Sequence, residues 1–249
     1  MFDFTGLDFL LAFGMALGAA LFTSVGHGGA SAYIALMALF GLAPAVIRPT
    51  ALVLNILVTG FSSLRYIQAG LFRWRTLWPV LAGALPMAFI GGSIQLPGHF
   101  YKPLVGAILL VAAVRLMLPY ELKSTLAWKD IPIGWGIVCG VVIGFLAGLT
   151  GTGGGIFLSP ILLFMGWSET RTTSGVTAVF IFCNSLAGLL GNFASVNSLP
   201  PQTLLFVIAV MSGAAIGTRL GISTFAKRGI LRALGLVLTI AGLKLIGLF

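Results

Sequence analysis

Charge, and acidic charge above all, is what this sequence has least of. Charged residues make up 8% of the 249 positions, and the acids are Asp3, Asp8, Glu121, Asp130 and Glu169. A soluble domain of this length needs far more charge to cover its surface. Every acid falls near the end of an apolar segment or between two. That excludes the intramembrane carboxylate on which cation transporters and proton pumps usually rely. Histidine is confined to His27 and His99, and cysteine to Cys139 and Cys183. No carboxylate or cysteine lies at ligand spacing from either histidine, and no nucleophile has a base beside it, so neither a metal, a cofactor nor an enzyme is expected. The cysteines lie inside apolar segments and read as small buried hydrophobes.

What the chain has instead is apolar sequence: 59% of its residues are hydrophobic. Runs long enough to cross a bilayer recur along it, as from Leu204 to Leu220 and from Leu231 to Phe249. The pattern predicts an all-α polytopic membrane protein. The start, Met1-Phe2-Asp3-Phe4, has no basic region and no cleavage site, so the first run is expected to be retained as a span. A net charge of +9 suggests nucleic acid in a soluble protein. In this one it reflects basic loops on the cytoplasmic side, and no nucleic-acid partner is expected.

The sequence also repeats. Gly26-His27-Gly28-Gly29-Ala30 and Gly151-Thr152-Gly153-Gly154-Gly155 each follow a long apolar run and precede a short one. Gly41 then matches Gly166, the polar stretch from Pro44 to Thr50 matches that from Glu169 to Gly175, and Ala88-Phe89-Ile90-Gly91-Gly92 resembles Ala214-Ala215-Ile216-Gly217-Thr218. Ordered matches of this kind point to a duplication. The expected layout is a first repeat over 1–120, a cytoplasmic linker over 121–131 and a second repeat over 132–249. The apolar segments are 7–25, 31–42, 49–68, 77–96 and 103–119, then 132–150, 156–167, 173–193, 203–222 and 230–248. Each repeat thus has four full spans and one half-length helix after the glycine-rich break. Paired short segments of this kind are the best pointer to a transport site.

Basic residues set the expected orientation. Arg65, Arg73 and Arg75 flank the third connection of the first half, whereas the matching connection, Asn192 to Gln202, is uncharged. Lys227, Arg228 and Arg232 sit one connection later. The same loop therefore faces opposite sides in the two halves, which makes the repeat inverted, with Lys123 and Lys129 inside and both termini outside. Lys102 and Lys244 break this pattern.

Unwound backbone inside a bilayer is tolerated only where protein or water satisfies it, so the glycine runs are expected to line a cavity. A helix starting after each run aims its unpaired amides and positive dipole end into that cavity, a setting suited to an anion. The candidate site comprises Ser24, Gly26, His27, Gly28, Gly29 and Ser31 around the first run. Thr150, Gly151, Thr152, Gly153, Gly154 and Gly155 form its counterpart, with Thr50, Asn55, Thr173 and Ser174 from the third segments. Asn184, opposite Asn55 in the repeat, is a further polar group that either faces the cavity or bridges helices. Arg48 and Arg171 are candidate charge partners, with snorkelling to the interface the alternative. His27 either titrates or packs as a hydrogen-bonded neutral ring.

The two glycine runs, the Pro49-Thr50-Ala51 and Thr173-Ser174-Gly175 starts that follow them and the two-halves layout resemble the sulfite exporter TauE/SafE family of membrane permeases over essentially the whole chain. The resemblance implies a transporter of small sulfur-containing anions, such as sulfite or organosulfonates, in the bacterial inner membrane. It leaves a homo-oligomer open. An anion leaving a cell that is negative inside gains about 2.3 kcal/mol per charge per 100 mV, so export needs no coupled ion. An anion channel of similar architecture is the alternative.

Overall fold

The computed structural model describes residues 5–117, 129–193, 199–223 and 228–247. They form helices α1 (Gly6–Thr23), α2 (Ala30–Leu39), α3 (Pro44–Gln68), α4 (Trp74–Ser93), α5 (Gly98–Met117), α6 (Ile133–Thr150), α7 (Gly155–Phe164), α8 (Thr170–Gly191), α9 (Thr203–Ser223) and α10 (Arg228–Ile246). No strand occurs among the described residues. Helices α1, α3, α4, α6, α8 and α9 are long and apolar enough to cross a membrane, while α2 and α7 have 10 residues each. The central linker falls largely outside the described residues, as does Lys123.

The few acids that are described sit at the helix ends and surfaces where the sequence places them. Asp8 closes a capping box with Thr5 at the start of α1, its carboxylate accepting from the Thr5 backbone at 2.9 Å. Glu169 precedes α8 and accepts from the Thr172 hydroxyl at 2.8 Å. Asp130 faces Arg75 at 3.6 Å in the open, where such a pair contributes little.

The third segments of both halves start earlier than expected: α3 begins at Pro44 and not at 49, and α8 at Thr170 and not at 173, so the polar stretches before them are helical. Pro44 sits in the first helical turn, where a missing N–H costs nothing. Pro49 sacrifices one intrahelical bond, and Ile47, Arg48 and Thr50 around it are buried.

Two seams of small residues hold the bundle. Along α4 and α6, a Cβ at Gly140, Gly144 or Gly148 would fall on the carbonyl of Val80, Ala84 or Ala88, and one at Gly83 or Gly91 on that of Ile137 or Phe145. Along α1 and α9, Gly213, Gly217 and Gly221 likewise meet the carbonyls of Ala16, Ala20 and Ser24. Four-residue spacing aligns these glycines on one face, and backbone contact supplies the dispersion that lipid cannot. Rising numbers on both partners make each seam parallel. By contrast α3 and α8 run antiparallel, with Asn55 against Ser185 and Gly60 against Phe182. Helices α5 and α10 also run antiparallel, Gly106 lying against Ile246 and Gly235 against Met117.

Gly140→Val drives a branched side chain into the α4 backbone. Thermal unfolding of the purified protein is expected to show a loss of at least about 2 kcal/mol, whereas Gly134→Val, whose added Cβ meets nothing within 4 Å, is expected to be silent.

Candidate functional site

The glycine runs are reversals of chain direction, a sharper feature than a break in a continuing helix. Helix α2 returns along α1, with Ala32 against Gly18 and Leu36 against Gly14. The second run likewise folds back, bringing Gly154 beside Ala147 and Ile143 of α6, and α7 then packs against α8. Reversal within so few residues needs left-handed backbone, and only glycine takes it cheaply: Gly26, Gly29, Gly151, Gly153 and Gly154 all have φ between 76° and 93°. Gly28 and Gly155 are needed for space instead, since a Cβ there would strike Asn55 or Ile181.

The two reversals approach each other around the middle of α3 and α8. Gly28 and Gly153 both lie against Asn55, whose amide donates to Ser185 Oγ at 2.9 Å, and Asn184 donates to the Gly153 carbonyl at 3.2 Å. From there they diverge. Gly26 packs on the backbone of Ser174, and Gly151 on Arg48. His27 spans the halves: Nδ1 lies 3.1 Å from the Val25 carbonyl, and Nε2 lies 3.2 Å from Ser159 Oγ on α7. The carbonyl can only accept, so Nδ1 carries a proton; Nε2 shares a hydrogen bond with Ser159, which in turn pairs with Thr177 at 3.0 Å.

Most donors near the runs are already committed. Ser24 donates to Leu21 at 2.6 Å, Thr50 to Val46 at 2.7 Å and Thr150 to Leu146 at 2.7 Å, with Thr152 Oγ1 3.0 Å from Thr150 Oγ1. Ser31 is buried at the start of α2, and Ser174 is half-buried with its hydroxyl turned to Thr170. The backbone amides are different. Those of residues 28–32 and 152–156 lie in buried residues and donate to no protein acceptor among the described residues. Buried side-chain oxygens of Asn55, Asn184 and Thr173 are also without partners. Unpaired polar groups at this density are uncommon inside apolar surroundings.

Arg48 and Arg171 have a use the sequence did not announce. Arg48, 6% exposed, donates through Nη1 to Ile94 at 2.8 Å and through Nη2 to Gly91, Gly92 and Gly148 at 2.6 to 2.8 Å. These carbonyls belong to the last turns of α4 and α6, where a cation opposes the negative ends of both helix dipoles. Arg171 does the same for α9 from an exposed position, donating to Ile222 at 2.8 Å. Three tyrosines also escaped the sequence reading. Tyr33 donates to Gly28 at 2.8 Å, Tyr66 to Thr23 at 2.7 Å and Tyr101 to Thr150 at 3.0 Å, so each reversal is pinned by phenol hydroxyls.

Fold and site together define a multi-pass membrane protein with two opposed, amide-rich chain reversals at its centre. The family model described as Sulfite exporter TauE/SafE matches residues 10–245. The chain belongs to that family of membrane transporters. The Probable membrane transporter protein y4hK of Sinorhizobium fredii is 38% identical over 92% of this chain and 94% of its own length. The Probable membrane transporter protein YjnA of Bacillus subtilis is 26% identical over 95% and 98%. The Probable membrane transporter protein MamO of Paramagnetospirillum magneticum is 24% identical over 78% of this chain and 37% of its own. No solved structure matches the chain.

Arg48→Gln leaves buried carbonyls without their cation. It is expected to cost about 2–3 kcal/mol in thermal unfolding, against less than about 1 kcal/mol for Arg171→Gln at its exposed site.

Proposed function

We propose that the protein carries small sulfur-containing anions, such as sulfite or organosulfonates, across the bacterial inner membrane, in the direction of export. The observation that carries this reading is the set of buried, unpaired amides on residues 28–32 and 152–156 at the starts of α2 and α7. Two helix N-termini offer an anion hydrogen bonds and positive dipole ends without a side-chain charge, whose burial would be costly. The substrate sits between the runs, near Asn55, with residues 24–31 on one side and 150–155 on the other. His27 contributes as a hydrogen-bonding ring that ties the first run to α7.

Alternating access is the proposed mechanism, with one half of the molecule moving against the other. Its support is the exchange of partners between the halves. The first-half pair α4 with its second-half neighbour α6 corresponds to α9 with α1, and the equivalent helices α3 and α8 run antiparallel. An inverted repeat has this pattern, and it permits two related conformations open to opposite sides. Halves at 1–120 and 132–249 and two outside termini follow from the same proposal.

Flux of radiolabelled sulfite and taurine from proteoliposomes tests the function. It is expected to saturate with concentration, whereas non-saturating flux would favour a channel. Gly28→Ala and Gly153→Ala, which push Asn55 into the site, are expected to lower the rate at least about ten-fold, equivalent to about 1.4 kcal/mol. Full flux in both variants would remove the runs from the substrate path.

A further inference from the structure

A cleft of about 180 Å³ opens between the end of α2, the starts of α3 and α5 and the end of α10, with Ala38, Leu42, Ile47, Tyr101, Lys102 and Lys244 among its lining residues. We propose that this cleft is the anion-collecting vestibule through which the transported anion reaches or leaves the second glycine run. The choice of occupant rests on the function proposed above.

Lys102 and Lys244 are the two basic residues that break the charge asymmetry of the loops, and they line the same cleft although 142 positions separate them (244 − 102). Neither faces an acid there, for no Asp or Glu is among the lining residues. Lys244 is held in place, its ammonium donating to the Leu39 carbonyl at 2.9 Å, the last residue of α2. Apolar walls around paired positive charge focus its field and raise the local concentration of anions.

The cleft also leads somewhere. Tyr101, 3% exposed, lines it, and the phenol hydroxyl bonds the Thr150 carbonyl at 3.0 Å, the residue immediately before Gly151. Tyr101 thus links the wall of the cleft to the residue before the second run. In this conformation Tyr101 closes the path, and an anion passes only when that hydrogen bond opens.

The test reads thiol modification in zwitterionic nanodiscs, on a protein carrying Cys139→Ala, Cys183→Ala and Lys102→Cys. Anionic sulfonatoethyl methanethiosulfonate is compared with its cationic trimethylammonium counterpart, with Ser93→Cys as an exposed reference. The anionic reagent is expected to be favoured about ten-fold over the reference. That preference is expected to fall when Lys244→Gln is added, and millimolar sulfoacetate is expected to slow the reaction. A reagent preference equal to that at Ser93→Cys overturns the proposal. So does protection by phosphatidylglycerol in the nanodisc but not by sulfoacetate, which would make the cleft a lipid headgroup seat. Because modification is read and not flux, this test can fail while proteoliposome transport succeeds, and the reverse.

Discussion

Backbone amides buried away from water must be paired, and the rest of this structure follows from where that demand is left unmet. A helix satisfies its interior but never its first turn. By reversing the chain twice inside the apolar core, the protein places two such turns, at Ala30 and Gly155, among buried residues. The tyrosines and Asn184 around the reversals donate to carbonyls, and Asn55 donates to Ser185. None satisfies the amides. Several carbonyls around the reversals are pinned while the first-turn amides stay open, and that imbalance is what the proposed anion site rests on.

Keeping the reversals in place requires rigid surroundings, and the glycine seams supply them. Backbone-to-backbone contact along α4 with α6 and along α1 with α9 fixes the helices that feed and flank each reversal. Arg48 adds an ionic tie at one end, joining the last turns of α4 and α6 while its stem lies on Gly151. Further hydrogen bonds join the halves at the centre, from Asn55 to Ser185 and between His27 and Ser159, which in turn pairs with Thr177.

Much of this was legible in the sequence. The apolar segments match the described helices closely because hydrophobic length is a strong signal in a membrane chain, and the helix after each glycine run is short, as its segment implied. The start of α3 was misjudged because two prolines and an arginine look like a turn when their burial is unknown. The glycine runs could be seen, but not that the chain turns back at them, since a straight break and a reversal share one composition. The tyrosine pins and the arginine caps were hidden for a different reason. Their partners are carbonyls, which every residue has, so nothing in the sequence names them. Lys102 and Lys244 stood out only as exceptions, and their shared cleft depends on packing α5 against α10.

The most direct test of the central claim is to locate an anion. Selenite is an electron-dense analogue of sulfite, and anomalous diffraction from crystals soaked in it would mark its seat. A peak about 3 Å from amides of residues 28–32 and 152–156, the distance of an N–H···O contact, is the predicted result. Selenite that inhibits sulfite flux yet gives no peak near either run would contradict the account.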